Sequence, residues 1–347
     1  MLRRTNMGAS SKMSLSDTQV SLKHGAGGTA MTELIDAVFT ATYGNDLATR
    51  DDSARIDIEG PVAFTTDSFV VDPIFFPGGD IGRLAVAGTV NDLLTIGAKP
   101  VALSASFIIE EGLPISDLLS IARSMALTAR EANVRIVTGD TKVVPRGSAD
   151  KVFITTSGIG TILLNGLSGA AAKPGDAIIL TGSIGDHGAA VMLAREKLLD
   201  AESIESDTAP LVDIVLNLIR AGCKIHAMRD PTRGGIAASL NEIAKQSRVG
   251  IDLDERALVV KPAVAAACEV LGIDPFYVAN EGKMLIFVDP QDAERSLEIV
   301  KQSAYGAEAA LVGWVNALHS GQVRLRTTIG TTRIVSPPTG ELLPRIC

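Results

Sequence analysis

Cysteine is scarce in this chain, with three in 347 residues: Cys223, Cys268 and Cys347. Three thiols without clustered spacing build neither a disulfide framework nor a tetrahedral zinc site, so a reducing cytoplasm is the expected compartment. The four histidines, His24, His187, His226 and His319, form no metal-ligand cluster either. Aromatic residues are only 4%, which leaves a core of Val, Ile, Leu and Ala. Basic charge is short as well: the formal net charge is -8. That excludes a general binder of nucleic acid or of anionic membranes. No apolar run approaches the ~20 residues of a membrane span. The opening MLRRTNMGASSKMSLSD carries two arginines but no apolar stretch, so it is not a secretory signal. Residues 1–18 are expected to form a disordered leader. No phosphate loop of the form GxxxxGKS/T is present, and HGAGG does not qualify as GxGxxG because no strand clearly precedes it.

What is present is a hydrophobic content of 46% against 21% charge, with 33 glycines. The length suits two domains of ~100–200 residues each. HGAGGTAMTELIDAVF reads as a glycine-rich loop opening into a helix, and PVAFTTDSFVV as an alternating strand. DIGRLAVAGTVNDLLTIGA reads as a helix stopped by Gly97, VALSASFIIE as a strand, and ISDLLSIARSMALTAREA as an amphipathic helix. VRIVTGDTKVV and KVFITTSGIGTI complete a first half in which strands alternate with helices. Small and turn residues from Gly166 to Gly175 form a seam. Beyond it come helices in GAAVMLAREKLL, LVDIVLNLIRAG, IAASLNEIAKQ and QDAERSLEIVKQS, and strands in KMLIFVDP, AALVGWV and VRLRTTIG. The expected organisation is an α/β (α+β) fold with an amino-terminal domain at 19–163, a carboxy-terminal domain at 164–335, and a tail at 336–347 ending in Cys347.

Acidic residues stand in unusual places. Asp51 and Asp52 sit in a polar loop, Asp67 interrupts a strand, Asn91 and Asp92 fall inside an apolar helix, and Asp140 follows VRIVTG. Each alone is explained by a turn, a cap or a solvated face. Together in one domain they fit a Mg²⁺–nucleotide site, because Mg²⁺ prefers oxygen ligands and is held by one or two carboxylates plus substrate phosphates. Gly25, Gly27 and Gly28 can bring backbone N–H groups to phosphates, or simply form a turn. Lys142 has the parity to face the same side of an extended segment as Asp140, as a phosphate counter-charge or as a surface lysine. In the second half, MRDPTRGG is a helix-start signal whose glycines permit close packing or anion approach. Asn280, Glu281 and Lys283 of VANEGK lie just before a strand. Cys223 and Cys268 read as buried structural thiols. Cys347 ends the most mobile part of the chain, either by accident or as a thiol carried on a tether.

Together TTDSFVVDPIFFPGGDIGRLAVAGTVNDLLTIGAKP, VTGDTKVV, GDHGAA, MRDPTRGG, VANEGK and the terminal PRIC resemble the hydrogenase-maturation carbamoyl dehydratases, the HypE family. The resemblance runs from about His24 to Cys347. It places the chain in the wider superfamily of aminoimidazole ribonucleotide synthetase, selenophosphate synthetase and thiamine-monophosphate kinase. It implies a two-domain aminoimidazole ribonucleotide synthetase-like fold, with amino-terminal sheets of two subunits pairing in a β-barrel-like homodimer core. It also implies ATP and Mg²⁺ at the acidic residues. Asp51, Asp67, Asp92 and Asp140 would hold metal and nucleotide, joined by Asn91 and the glycines of HGAGG. Cys347 would receive a carbamoyl group from a HypF-type carbamoyltransferase, and ATP would drive its dehydration to thiocyanate. Glu281 and Lys142 are the expected proton-handling residues. The cyanide would pass to the iron of a [NiFe] hydrogenase through a HypC–HypD-type scaffold. Two other readings remain at this point. A metabolite kinase or synthetase of the same superfamily leaves PRIC unexplained, and a carbamoyl or cyanide carrier without ATP chemistry leaves the acidic residues unexplained.

Overall fold

The computed structural model describes residues 17–44, 53–196, 204–340 and 344–347. Asp51 therefore lies outside the described residues, as does most of the leader. A 3-10 turn at Leu22–Gly25 precedes a continuous helix that runs as α1 (Thr29–Leu34), a π-helical stretch (Ile35–Thr40) and α2 (Ala41–Tyr43). Strand β1 (Val62–Phe69) is followed by a small hairpin, β2 (Phe75–Phe76) and β3 (Gly79–Asp80), and then by α3 (Ile81–Thr95). Next come β4 (Ala98–Glu110), α4 (Ile115–Glu131), β5 (Arg135–Val144) and β6 (Val152–Ile162). The first sheet has the order β1-β6-β4-β5.

One face of this sheet is covered by α3 and the helices around it. The burial of β1 alternates residue by residue, as a strand with one covered face must. Asp80 caps α3, its carboxylate accepting from the N–H groups of Gly82 and Arg83 at 2.6 and 3.1 Å. Helix α3 is apolar on nearly every side and almost wholly buried, because it packs between the sheet, α4 and the second domain. Glycine at position 82 lets α4 approach so closely that a Cβ there would stand 2.5 Å from the Ile121 carbonyl. The opposite face of the sheet is open. Phe64 is 72% exposed on it, alongside exposed Ile108, and hydroxyl pairs such as Ser68 with Thr155 and Ser157 with Thr66 run across it.

The second sheet is built from β7 (Ala177–Leu180), β8 (Ile225–Arg229), β9 (Gly250–Asp254), β10 (Leu285–Val288), β11 (Ala310–Asn316), β12 (Val323–Arg326) and β13 (Thr332–Ile334). Its order is β13-β12-β9-β11-β7-β10-β8. The helices between these strands are α5 (Asp186–Glu196), α6 (Val212–Arg220), α7 (Gly235–Ser247), α8 (Pro262–Leu271) and α9 (Ala293–Gln302). Its central strands β7 and β10 are buried at every position, as expected for apolar runs covered on both faces. Asn91 of α3 fastens the two domains together. Its amide nitrogen donates to the Ala209 carbonyl at 3.0 Å, and its oxygen accepts from the Leu211 N–H at 2.9 Å. Among the described residues no helix is long and apolar enough to cross a membrane.

Candidate active site

Four acidic side chains meet where the two domains face each other. Asp67 lies on the covered face of β1, and Asp92 on the side of α3 that faces it, accepting from the Thr65 hydroxyl at 2.9 Å. Asp230 directly follows β8, and Glu281 enters from the turn before β10. With Thr66, Gly88, Arg229, Arg233, Glu242 and Cys347 they line a cavity of about 350 Å³. Carboxylates in such a place resist ionisation. Burial is the main cause at Asp67 and Asp92, and the charge of Asp67 raises Asp92 further. Burial together with the neighbouring Asp92 lifts Asp230 to about 7. Glu281 goes well above the ordinary range, first through burial and then through Asp230, Asp207, Asp67 and Asp92.

The turn that presents Glu281 is tightly determined. A Cβ on Gly282 would lie 1.7 Å from the Asp207 carbonyl, so only glycine fits. The Glu281 N–H donates to the Asp207 carboxylate at 3.0 Å, while its own Oε1 has no hydrogen-bond partner among the described residues. Buried Asn280 ties two loops to this turn and braces the turn itself. Its oxygen accepts from the Gly185 N–H at 2.7 Å, and its amide donates to the carbonyls of Pro231 and Val278. The MRDPTRGG turn is fixed in the same way, since Gly235 has φ +59 and a Cβ there would press on the carbonyls of Phe276 and Val278.

The carboxy-terminal tail closes the site. Residues 344–347 lie against the body as a strand-like run: the Val70 N–H donates to the Cys347 carbonyl at 3.1 Å and the Asp72 N–H to that of Arg345 at 3.3 Å. Ile346 is buried in the hydrophobic core that the two domains share. Cys347 stands between the acidic cavity and a less polar one of about 360 Å³ lined by Val70, Tyr277, Pro338 and Ile346. Burial and the charge of Glu281 push its thiol up to about 12, with Arg233 opposing them.

The remaining expected residues stand elsewhere. Asp140 and Lys142 lie within β5, on the open face of the sheet, and pair with each other at 2.8 Å. That hydrogen bond holds Asp140 below the usual carboxylate range. The register runs Asp67–Thr156–Ala105–Gly139 across the sheet, so the two acidic positions are separated by three strand spacings, about 14 Å, and by the sheet itself. The HGAGG loop belongs to this second group, for a Cβ on Gly25 would touch Val143 of β5 at 2.9 Å. Gly27 and Gly28 are exposed beside it. Asn91 is occupied at the domain junction. Cys223 and Cys268 are buried and unpaired. Asp230, His187 and Arg195, the last two of which contact the tail, were not singled out by sequence reasoning. Asp230 falls in the MRDPTRGG turn, where an aspartate reads as an ordinary helix-start residue.

Among the described residues no three His, Cys, Asp or Glu side chains are gathered closely enough to cage a metal ion by themselves. Carboxylates that outnumber the two arginines around this open cavity nevertheless match the donor chemistry of Mg²⁺ shared with substrate phosphates.

The paired α/β domains joined through a buried helix define a class. Residues 50–162 match the AIR synthase related protein, N-terminal domain, and 173–326 the corresponding C-terminal domain. Within that class the chain belongs to the carbamoyl dehydratase HypE family. It is 53% identical over 341 residues to carbamoyl dehydratase HypE of Rhizobium leguminosarum bv. viciae, covering 97% of both chains. It superposes on a crystal structure of hydrogenase maturation protein HypE in complex with ATP with a TM-score of 0.91 at 47% identity, covering 94% of this chain and 99% of that one. A HypE–HypF complex gives a TM-score of 0.77 at 49% identity, over 90% and 100% of the two chains.

Proposed function

We propose that this chain is an ATP-dependent dehydratase acting on its own carboxy terminus. The carrying observation is the placement of Cys347 on the wall of a cavity lined by Asp67, Asp92, Asp230 and Glu281. A carbamoyl group on that sulfur, received from a HypF-type carbamoyltransferase, reaches the carboxylates when the tail is docked. The primary amide loses oxygen poorly as hydroxide. Transfer of the ATP γ-phosphoryl to the carbamoyl oxygen turns it into a phosphate leaving group. The balance is S-carbamoyl plus ATP giving S-cyanide, ADP and phosphate, with both amide protons released from nitrogen. Buried Glu281, with one free carboxylate oxygen and a strong preference for a proton, is suited to accept the first of them. Asp67 and Asp92 would hold Mg²⁺, which supplies charge neutralisation to the phosphoryl group. The thiocyanate would be delivered through a HypC–HypD-type scaffold, in the cytoplasm.

The open face of the first sheet carries exposed Phe64 and Ile108 among hydroxyl side chains. We assign it to a second copy of this chain, forming the barrel-like homodimer core. Such pairing presents one subunit's Asp140, Lys142 and HGAGG loop to ATP held by the carboxylates of the other. ATP cleavage tests the reading directly. Protein carbamoylated at Cys347 should split one ATP per chain, and Cys347→Ala none. A metabolite kinase would keep its turnover in that variant, and a pure carrier would split no ATP in either protein.

A further inference from the structure

The last residues of the chain are held by their main chain, and mostly by one helix. Arg195, in the last turn of α5, donates to the carbonyls of Pro344 at 2.7 Å and Arg345 at 2.6 Å. Its Nε donates to the Asp72 carbonyl at 2.8 Å, on the segment the tail pairs with. His187, in the first turn of the same helix, contacts the Ile346 carbonyl through Nε2 at 2.8 Å. Eight residues separate the two, about 12 Å of helix rise. Three successive tail carbonyls, of residues 344, 345 and 346, are thus bound along α5. The planar guanidinium suits this work, since it directs several N–H donors from one fixed frame. Among the described residues Arg195 has no carboxylate partner competing for it.

The tautomer of His187 follows from its partners. A carbonyl only accepts, so Nε2 carries the proton, and Nδ1 accepts from the Ser206 hydroxyl at 2.8 Å. Burial keeps the ring neutral, and Phe76 meets it edge to face at 5.4 Å. On the far side of the tail, Arg345 donates to the Val70 carbonyl at 3.1 Å and pairs with Asp150.

We propose that Arg195 and His187 are positioning residues that form a clip for the carboxy-terminal main chain. Because the clip holds carbonyls, it accepts the tail whether the sulfur is free, carbamoylated or cyanated, and its strength divides the chain's time between two jobs. Docked, Cys347 is half-buried on the cavity wall with its main chain pinned by Val70, and burial pushes its thiol up, so it meets and attacks a carbamoyl donor slowly. Undocked, any group on the sulfur is away from Glu281 and the carboxylates. Loosening the clip therefore speeds loading and slows dehydration; general damage to the fold would also expose the buried thiols of Cys223 and Cys268 to alkylation, which a loosened clip leaves covered. The dehydration half of this argument rests on the function proposed above.

The test uses the full-length protein and two rates. One is the alkylation of Cys347 by iodoacetamide in the resting protein, followed by the mass of the carboxy-terminal peptide. The other is the loss of water from carbamoylated Cys347 in a single turnover with Mg–ATP. Arg195→Met should alkylate about tenfold faster and dehydrate about tenfold more slowly, the loss expected when charge-assisted bonds to two carbonyls disappear. Arg195→Lys should fall between, since an ammonium lacks the planar fork. Asp150→Asn, a surface change on the other side of the tail, should shift both rates in the same senses by a smaller factor, and it serves if Arg195→Met fails to fold. Unchanged alkylation in a folded Arg195→Met protein, or two rates moving together, overturns the clip. Alkylation responding as expected while wild-type protein never loses water would leave the clip standing and overturn the dehydratase reading.

Discussion

The two halves of the predicted site are built on different principles. The convergent half, Asp67, Asp92, Asp230, Glu281 and Cys347, is assembled inside one chain from β1, α3, β8, the turn before β10 and the tail. Its carboxylates are crowded, half-buried or, at Glu281, buried, and lifted in pKa. The edge half sets Asp140 and Lys142 on the open face of the sheet, where they neutralise each other through an ion pair, with the HGAGG loop against Val143 of the same edge strand. A half-site in which five carboxylates face only the guanidiniums of Arg229 and Arg233 favours a cation or a charged ligand from outside. One that pairs internally can wait in solvent at little cost, since exposed ion pairs contribute little to stability. The comparison places the crowded carboxylates in one half and a self-neutralised pair in the other.

The sharpest way to break this contrast is to remove the base from the convergent half. Glu281→Gln should lower dehydration by about 10²–10⁴-fold while leaving Cys347 open to carbamoylation, as read from peptide mass. In the wild type the rate should rise with pH through the raised pKa of Glu281, because a carboxylic acid accepts protons only once ionised. A pH-independent rate would remove Glu281 from that role.

A second test asks whether the halves meet across two chains. Asp67→Asn and Lys142→Met proteins should each be strongly impaired. Unfolded and refolded together, half of their dimers are mixed, and each mixed dimer holds one intact and one doubly damaged site. About a quarter of wild-type activity should then return. No recovery, with mixed dimers demonstrated by mass, would mean that Asp140 and Lys142 do not complete a partner's site.

The smallest effect concerns stability. An acid whose folded pKa exceeds its unfolded value binds more protons when folded, so stability falls as pH rises between the two values. For Asp230 that window runs from the ordinary carboxylate value near 3.8 to about 7. Asp230→Asn should accordingly be more stable than wild type at pH 8, on the order of 2 kcal/mol without ligand. The advantage should shrink towards pH 4. Thermal melts at the two pH values check it, and an Asn variant less stable at pH 8 would show that the carboxylate is already neutralised.

The legibility of these features in the sequence followed their periodicity. β1, β4, β6, α3 and α4 were readable because alternation and helical spacing run over eight or more residues. β8 and β9 were not, each having five residues, with His226 and Asp252 breaking the apolar pattern. Asp67 and Asp92 stood out because a carboxylate in an apolar run is anomalous. Asp230 did not, because aspartate in a turn before a helix is ordinary. The parity of Asp140 and Lys142 was correct, as their ion pair shows. Parity relates residues within a strand, however, and does not say which face of the sheet the strand turns to a neighbour. The sequence suggests a mobile tail without saying where it docks; in the structure its last four residues lie against the body. Their partners His187 and Arg195 lie about 150 residues upstream, and a bond to a main-chain carbonyl leaves no trace in the side chains of the segment bound.

The central claim is that the carbamoyl oxygen on Cys347 leaves as phosphate. Protein carbamoylated with ¹⁸O at that position, treated with Mg–ATP, tests it in a single turnover. The account predicts that the Cys347 peptide loses one labelled water equivalent and that the label appears in inorganic phosphate. A peptide that keeps its oxygen while ATP is split, or label recovered in bulk water, would contradict it.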